Sequence, residues 1–75
     1  MRKTVEAIEM LEYLKKEWKI AHHLLETLGR NDERAEHRML WCIGMKEMTE
    51  ALICAPVNLK LDGRLTIGLD EEVEI

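Results

Sequence analysis

Only two cysteines occur in these 75 residues, Cys42 and Cys54. Both fall on the second predicted helix, roughly 18 Å apart at about 1.5 Å rise per residue, so they cannot form a bridge within the chain. A disulfide framework is therefore excluded, and the expected compartment is reducing, the cytoplasm. Long apolar runs are also missing. The longest, Met39–Met45, spans seven residues including Gly44, against the roughly 18–20 that a membrane span needs. No targeting segment is expected either, because Met1-Arg2-Lys3 leads into regularly charged sequence with no apolar h-region. The glycines, Gly29, Gly44, Gly63 and Gly68, stand far apart, and no glycine-rich phosphate loop can be built from them. An excess of basic residues is lacking too. With 15 acidic against 11 basic side chains the net charge is −4, which repels a phosphate backbone and makes nucleic acid a disfavoured partner.

What remains is a small chain rich in amphipathic helix. A domain of this length buries only about 60% of the surface its unfolded form exposes. Such scaffolds gain stability from disulfides, a metal or a partner subunit. With disulfides excluded, the partner subunit becomes the leading expectation.

Between Thr4 and Leu28 the apolar residues Ala7, Leu11, Leu14, Trp18, Ala21, Leu25 and Leu28 recur at alternating spacings of four and three. That seam predicts a long helix over 4–28, with Thr4 as N-cap and Gly29 as a left-handed terminator. A second stripe, Ile8, Met10, Tyr13, Ile20 and Leu24, widens the apolar surface beyond what one facing helix covers. Asn31 or Asp32 caps the next helix, predicted over 32–54. In its middle turns, around Leu40, Trp41, Cys42 and Ile43, apolar residues occupy most of the circumference. A helix of that kind is expected to be buried on several sides. The short connection implies an antiparallel helical hairpin, with Trp18 and Trp41 in one central layer.

The lone proline, Pro56, ends the second helix. Val57-Asn58-Leu59-Lys60-Leu61 and Leu65-Thr66-Ile67-Gly68-Leu69 each alternate as half-buried strands do, so a β-hairpin is predicted over 57–69. Asp62-Gly63 invites a two-residue turn, but that register would oppose Leu59 to Thr66 and mix the two faces. A three-residue loop, Leu61-Asp62-Gly63 with Gly63 left-handed, opposes Leu59 to Leu65 and Val57 to Ile67 instead. The odd-numbered apolar pattern continues through Val73 and Ile75, which predicts a long second strand, with an acidic strand extension or tail over 70–75, and an edge open to strand addition. The fold class is thus α+β, a single domain with a helical hairpin followed by a β-hairpin, assembled as a homo-oligomeric bundle.

Few residues point to chemistry. His22, His23 and His37 fall near the closed end of the hairpin and could be joined by Glu26, Glu33 or Cys42, yet no established ligand spacing is present and adjacent His22 and His23 diverge by about 100°. Glu9 with Glu12 and Glu47 with Glu50 resemble magnesium-holding pairs, the basis of an alternative reading as a metal-dependent helical enzyme. Such spacing also arises by chance on Glu-rich helices. Lys15, Lys16 and Lys19, with Arg2 and Lys3, form the only basic surface, the basis of a second alternative as a nucleic-acid or ligand module. Cys42 has apolar neighbours and is expected to be an inert thiol.

The expectation is therefore a non-enzymatic protein without cofactor or metal. It is read as a homodimer acting on a protein partner as adaptor, regulator or inhibitor, for example of a mobile element. The residues expected to form its oligomer core are Leu11, Leu14, Trp18, Leu25, Trp41, Met45, Met48 and Leu52.

Overall fold

The computed structural model describes residues 4–68 and 73–74 of the chain. Helix α1 runs Val5–Leu28. Thr4 caps it in an extended conformation, and its Oγ1 accepts the Ala7 amide at 3.1 Å. This satisfies one of the free amides that every helix N-terminus leaves. At the other end Gly29 donates its amide to Leu25, but its ψ of 165° at φ 88° is not the left-handed helical cap expected from the sequence. It is an extended, positive-φ conformation open in practice only to glycine, and it turns the chain sharply toward the next helix.

Helix α2 runs Glu33–Ile53. Asp32 is its N-cap, accepting the Arg34 amide at 2.9 Å. Its C-cap is Cys54, at φ 57° and ψ 41°, the only described non-glycine residue with positive φ. A Cβ in the left-handed region crowds the following carbonyl, so this end carries strain. Cys42 is buried and Cys54 exposed, and both are free thiols.

The two helices pack against each other, and the strands follow. Strands β1 (Val57–Leu59) and β2 (Leu65–Ile67) pair antiparallel with Val57 opposite Ile67 and Leu59 opposite Leu65. This is the register that shared facing of the apolar residues demands. The loop is built as expected: Lys60 and Arg64 close it through a 2.9 Å backbone bond, Gly63 donates to the Lys60 carbonyl, and Gly63 has φ 90°. Gly63 is also pressed against α1, where a Cβ would lie 3.2 Å from His22 Nδ1.

The C-terminal reading is corrected. β2 stops at Ile67, and β3 (Val73–Glu74) returns antiparallel on its other edge, with Thr66 opposite Glu74 and Ile67 opposite Val73. The long second strand is therefore two strands, and the sheet order β1-β2-β3 makes β2 central. The edge of β2 expected to be open for strand addition is taken by the chain itself, since pairing within the chain satisfies the same backbone groups at no association cost. The rest of the expected acidic extension, with Leu69 and Ile75, lies outside the described residues.

The core joins Ala7, Leu11, Leu14, Trp18 and Ala21 of α1 to Cys42, Met45 and Ile53 of α2 and to Val57, Leu65 and Ile67 of the sheet. Three directional contacts tie these layers. Trp18 Nε1 donates to the Lys60 carbonyl at 2.7 Å, fastening α1 to the hairpin loop. Arg38 Nη1 meets Glu17 Oε2 at 2.6 Å, crossing between the helices. Glu50 accepts the Val57 amide at 2.9 Å and both its oxygens lie 3.1 Å from Lys46 Nζ, joining the end of α2 to the first residue of β1. The Val57 amide holds the Glu50 carboxyl below its ordinary pKa, helped by Lys46.

Candidate protein interaction surface

The buried stripe of α2, Ala35, Cys42, Met45, Thr49 and Ile53, covers one side of the helix. The outer side mixes exposed apolar residues with the exposed Glu36 and Glu47. Leu40 is 57% exposed, Trp41 55% and Met48 62%, and Ile43 lies exposed on the flank. The expectation that α2 is buried on several sides is thus unmet within one copy. Leu40, Trp41, Met45 and Met48 surround Gly44 in a shallow apolar hollow of about 300 Å³. A side chain at Gly44 would have open space around it, so no contact within the chain requires glycine there. On the far flank, Leu40 and Ile43 continue into a groove lined also by Met39, Leu25 and the 73%-exposed Leu61, with Arg30 and Glu36 among its walls.

The residues expected to form an oligomer core divide between two places. Leu11, Leu14 and Trp18 are buried inside the single chain, with Met45 at the margin of that core. Leu25 and Leu52 are half-buried. Trp41 and Met48 stand on the exposed face. The two tryptophans do not share a layer of side chains: Trp18 points to the hairpin loop, whereas Trp41 lies outside. On α1 the second stripe is partly used, with Met10 packed on the core and Ile8, Tyr13 and Ile20 exposed.

The chemical candidates are not brought together. His22 lies against Gly63 with Nδ1 3.0 Å from Glu26, while His37 lines a cleft with Tyr13, nine residues earlier on α1. His23 is exposed. Of the glutamate pairs, Glu9, Glu12 and Glu47 are exposed and Glu50 is occupied by Lys46 and the Val57 amide. Among the described residues no group of three or more His, Cys, Asp or Glu is placed to hold a metal ion. Lys16 and Lys19 are exposed and Lys15 half-buried; Arg2 and Lys3 lie outside the described residues. Burial, with the Glu17 carboxylate adding to it, pushes the Cys42 thiol up to about 11, which keeps it protonated at neutral pH. No described helix is long and apolar enough to cross a membrane.

Sequence reasoning missed the Glu17–Arg38 and Glu50–Val57 contacts, as well as the cleft beside His37. Only the last left a trace in the sequence: Arg34, His37, Arg38 and Trp41 share one side of a helix by their spacing. Comparison with protein-family models, with curated proteins and with solved structures finds no match for this chain.

Proposed function

We propose that the chain is a non-enzymatic protein interaction module whose outer α2 face pairs with a second copy, joining two helical hairpins into a four-helix bundle. One observation carries this reading: Leu40, Trp41 and Met48, all more than half exposed, surround a hollow at Gly44 on a helix whose other side is already core. Scattered surface leucines need no explanation, but a contiguous apolar face on one helix marks an interaction site. Tryptophan and methionine are favoured at such sites because they supply large, adaptable contact area.

A second copy fits because one patch carries both the hollow and the knobs to fill one. An isologous two-fold interface uses the same patch twice, so a self-complementary surface is sufficient. The glycine supports the same reading. In a helix interior it costs about 1 kcal/mol relative to alanine, and close approach of another helix is a use for it that nothing inside the chain provides. Assembled in this way, a small acidic dimer acts as an adaptor, regulator or inhibitor of other proteins.

The test is sedimentation velocity of the wild type beside a Leu40→Glu, Met48→Glu variant. Both side chains are exposed, so the single chain keeps its helices while the pair loses its seam. The wild type is expected to sediment as a dimer at micromolar concentration and the variant as a single chain with unchanged helical circular dichroism. Identical sedimentation of the two proteins would refute the assignment of this face.

A further inference from the structure

A cleft of about 460 Å³ opens between the two helices where Tyr13 of α1 meets Arg34, His37, Arg38 and Trp41 of α2. Its lining is unusual for this chain. The protein has one tyrosine, two tryptophans and no phenylalanine, and two of those three aromatic rings stand here. The remaining lining residues are two guanidiniums and an imidazole, with no carboxylate among them, on a molecule whose net charge is −4.

Each guanidinium is held by a carboxylate. Asp32 takes Nε and Nη2 of Arg34 at 3.3 and 3.2 Å, and Glu17 takes Nη1 of Arg38 at 2.6 Å. A guanidinium carries five N–H donors in a fixed fork, so each arginine retains further donors after these bonds. Placed four residues apart on one helix, the two arginines leave the backbone about 6 Å from each other along its axis and on one side of it, within reach of a single tetrahedral anion. Planar forks of this kind match phosphate oxygens two at a time. Tyr13 and Trp41 offer the flat apolar surface on which an aromatic ring stacks.

We propose that this cleft binds a small anion carrying a planar ring, of the class of a nucleoside monophosphate, with the ring on Trp41 and Tyr13 and the phosphate on Arg34 and Arg38. The net charge of −4 disfavours a long polyanion; Asp32 and Glu17 offset part of the charge of the two arginines, so the phosphate is recognised through the arginines' remaining N–H donors. The cleft is lined within one copy, but Trp41 also belongs to the outer α2 face, so a second copy and the ligand would compete for it. The titration is therefore run on the Leu40→Glu, Met48→Glu chain, in which that seam is removed.

The test uses the full chain with these two substitutions and reads the two indole N–H signals by NMR. Trp41 lines the cleft; Trp18, buried and bonded to the Lys60 carbonyl, serves as an internal reference. Titration with adenosine monophosphate is expected to move the Trp41 signal and leave Trp18 in place. Adenosine alone and inorganic phosphate alone are expected to bind about tenfold or more weakly, because each loses half of the recognition. Arg34→Ala keeps the Arg34-position amide that Asp32 caps and is expected to weaken the nucleotide by about tenfold or more. The proposal is overturned if Trp41 does not respond to the nucleotide at about 10 mM, if adenosine binds equally well, or if Arg34→Ala has no effect. A short single-stranded RNA binding more tightly than the mononucleotide would overturn the small-ligand assignment.

Discussion

Replacing Trp18 by phenylalanine isolates the contact that fastens the β-hairpin to the helices. Trp18 is 4% exposed, and its indole donates at 2.7 Å to the Lys60 carbonyl at the start of the hairpin loop. Phenylalanine keeps the ring in the core but removes the donor. The carbonyl is not orphaned, because it also accepts the Gly63 amide at 3.1 Å, so the hydrogen-bond loss is the net value of about 1 kcal/mol rather than a full desolvation penalty. The smaller ring leaves roughly 40 Å³ unfilled, which adds about 1 kcal/mol at the usual cavity cost. The expected total is about 2 kcal/mol, out of roughly 4–11 kcal/mol for a domain of this length. With an unfolding entropy near 2.1 cal/mol/K per residue, each kcal/mol moves Tm by about 6 °C, so Trp18→Phe is expected to lower it by about 12 °C. Trp18→Ala, losing about 3–5 kcal/mol, should lower Tm by about 20–30 °C. Thermal unfolding followed by far-ultraviolet circular dichroism reads both. A Tm change below about 3 °C for Trp18→Phe would refute the docking of the loop on α1.

Three further expectations follow from local chemistry. Cys54→Gly relieves the left-handed C-cap of α2 and is expected to stabilise by about 0.5–1 kcal/mol in urea denaturation; destabilisation would contradict the strain. The Glu50 carboxyl is held below its ordinary pKa chiefly by the Val57 amide, so its contribution is complete above the unfolded pKa and is lost as pH falls through the lower folded value. Tm should therefore drop as the solution is acidified below about pH 4.5, and Glu50→Gln should flatten that drop; parallel curves for the two proteins would count against the contact. Thr66 Oγ1 is buried with no hydrogen-bond partner among the described residues, so Thr66→Val is expected to be neutral or to stabilise by up to about 1 kcal/mol, and a loss beyond about 1 kcal/mol would reveal a partner.

Much of this architecture is legible from spacing alone. The four-three seam of α1 names Ala7, Leu11, Leu14, Trp18, Ala21, Leu25 and Leu28; the first five are buried and the last two, near the C-terminal end of the helix, are half-buried. The hairpin register follows from refusing to oppose Leu59 to Thr66, and the observed pairing is the one that remains. Both signals are strong because a period of 3.6 or of two, once begun, fixes which side every later residue faces. The third strand is not legible in this way. Alternation from Leu65 through Val73 and Ile75 is the same whether the strand continues or folds back, since a return to the same sheet preserves the pattern. The outer face of α2 is ambiguous for a related reason: apolar residues around the circumference indicate that something should cover them, but not whether it belongs to the same chain. Glu17–Arg38 and Glu50–Val57 depend on the rotation of one element against another, which periodicity does not set.

The placement of Trp41 and Met48 outside the single-chain core makes self-association the central claim. Sedimentation equilibrium of the wild-type chain over a range of micromolar concentrations tests it most directly. A species of twice the 8.8 kDa chain mass is expected, giving way to the single chain on dilution. A folded protein that keeps the mass of one chain at every concentration would contradict it.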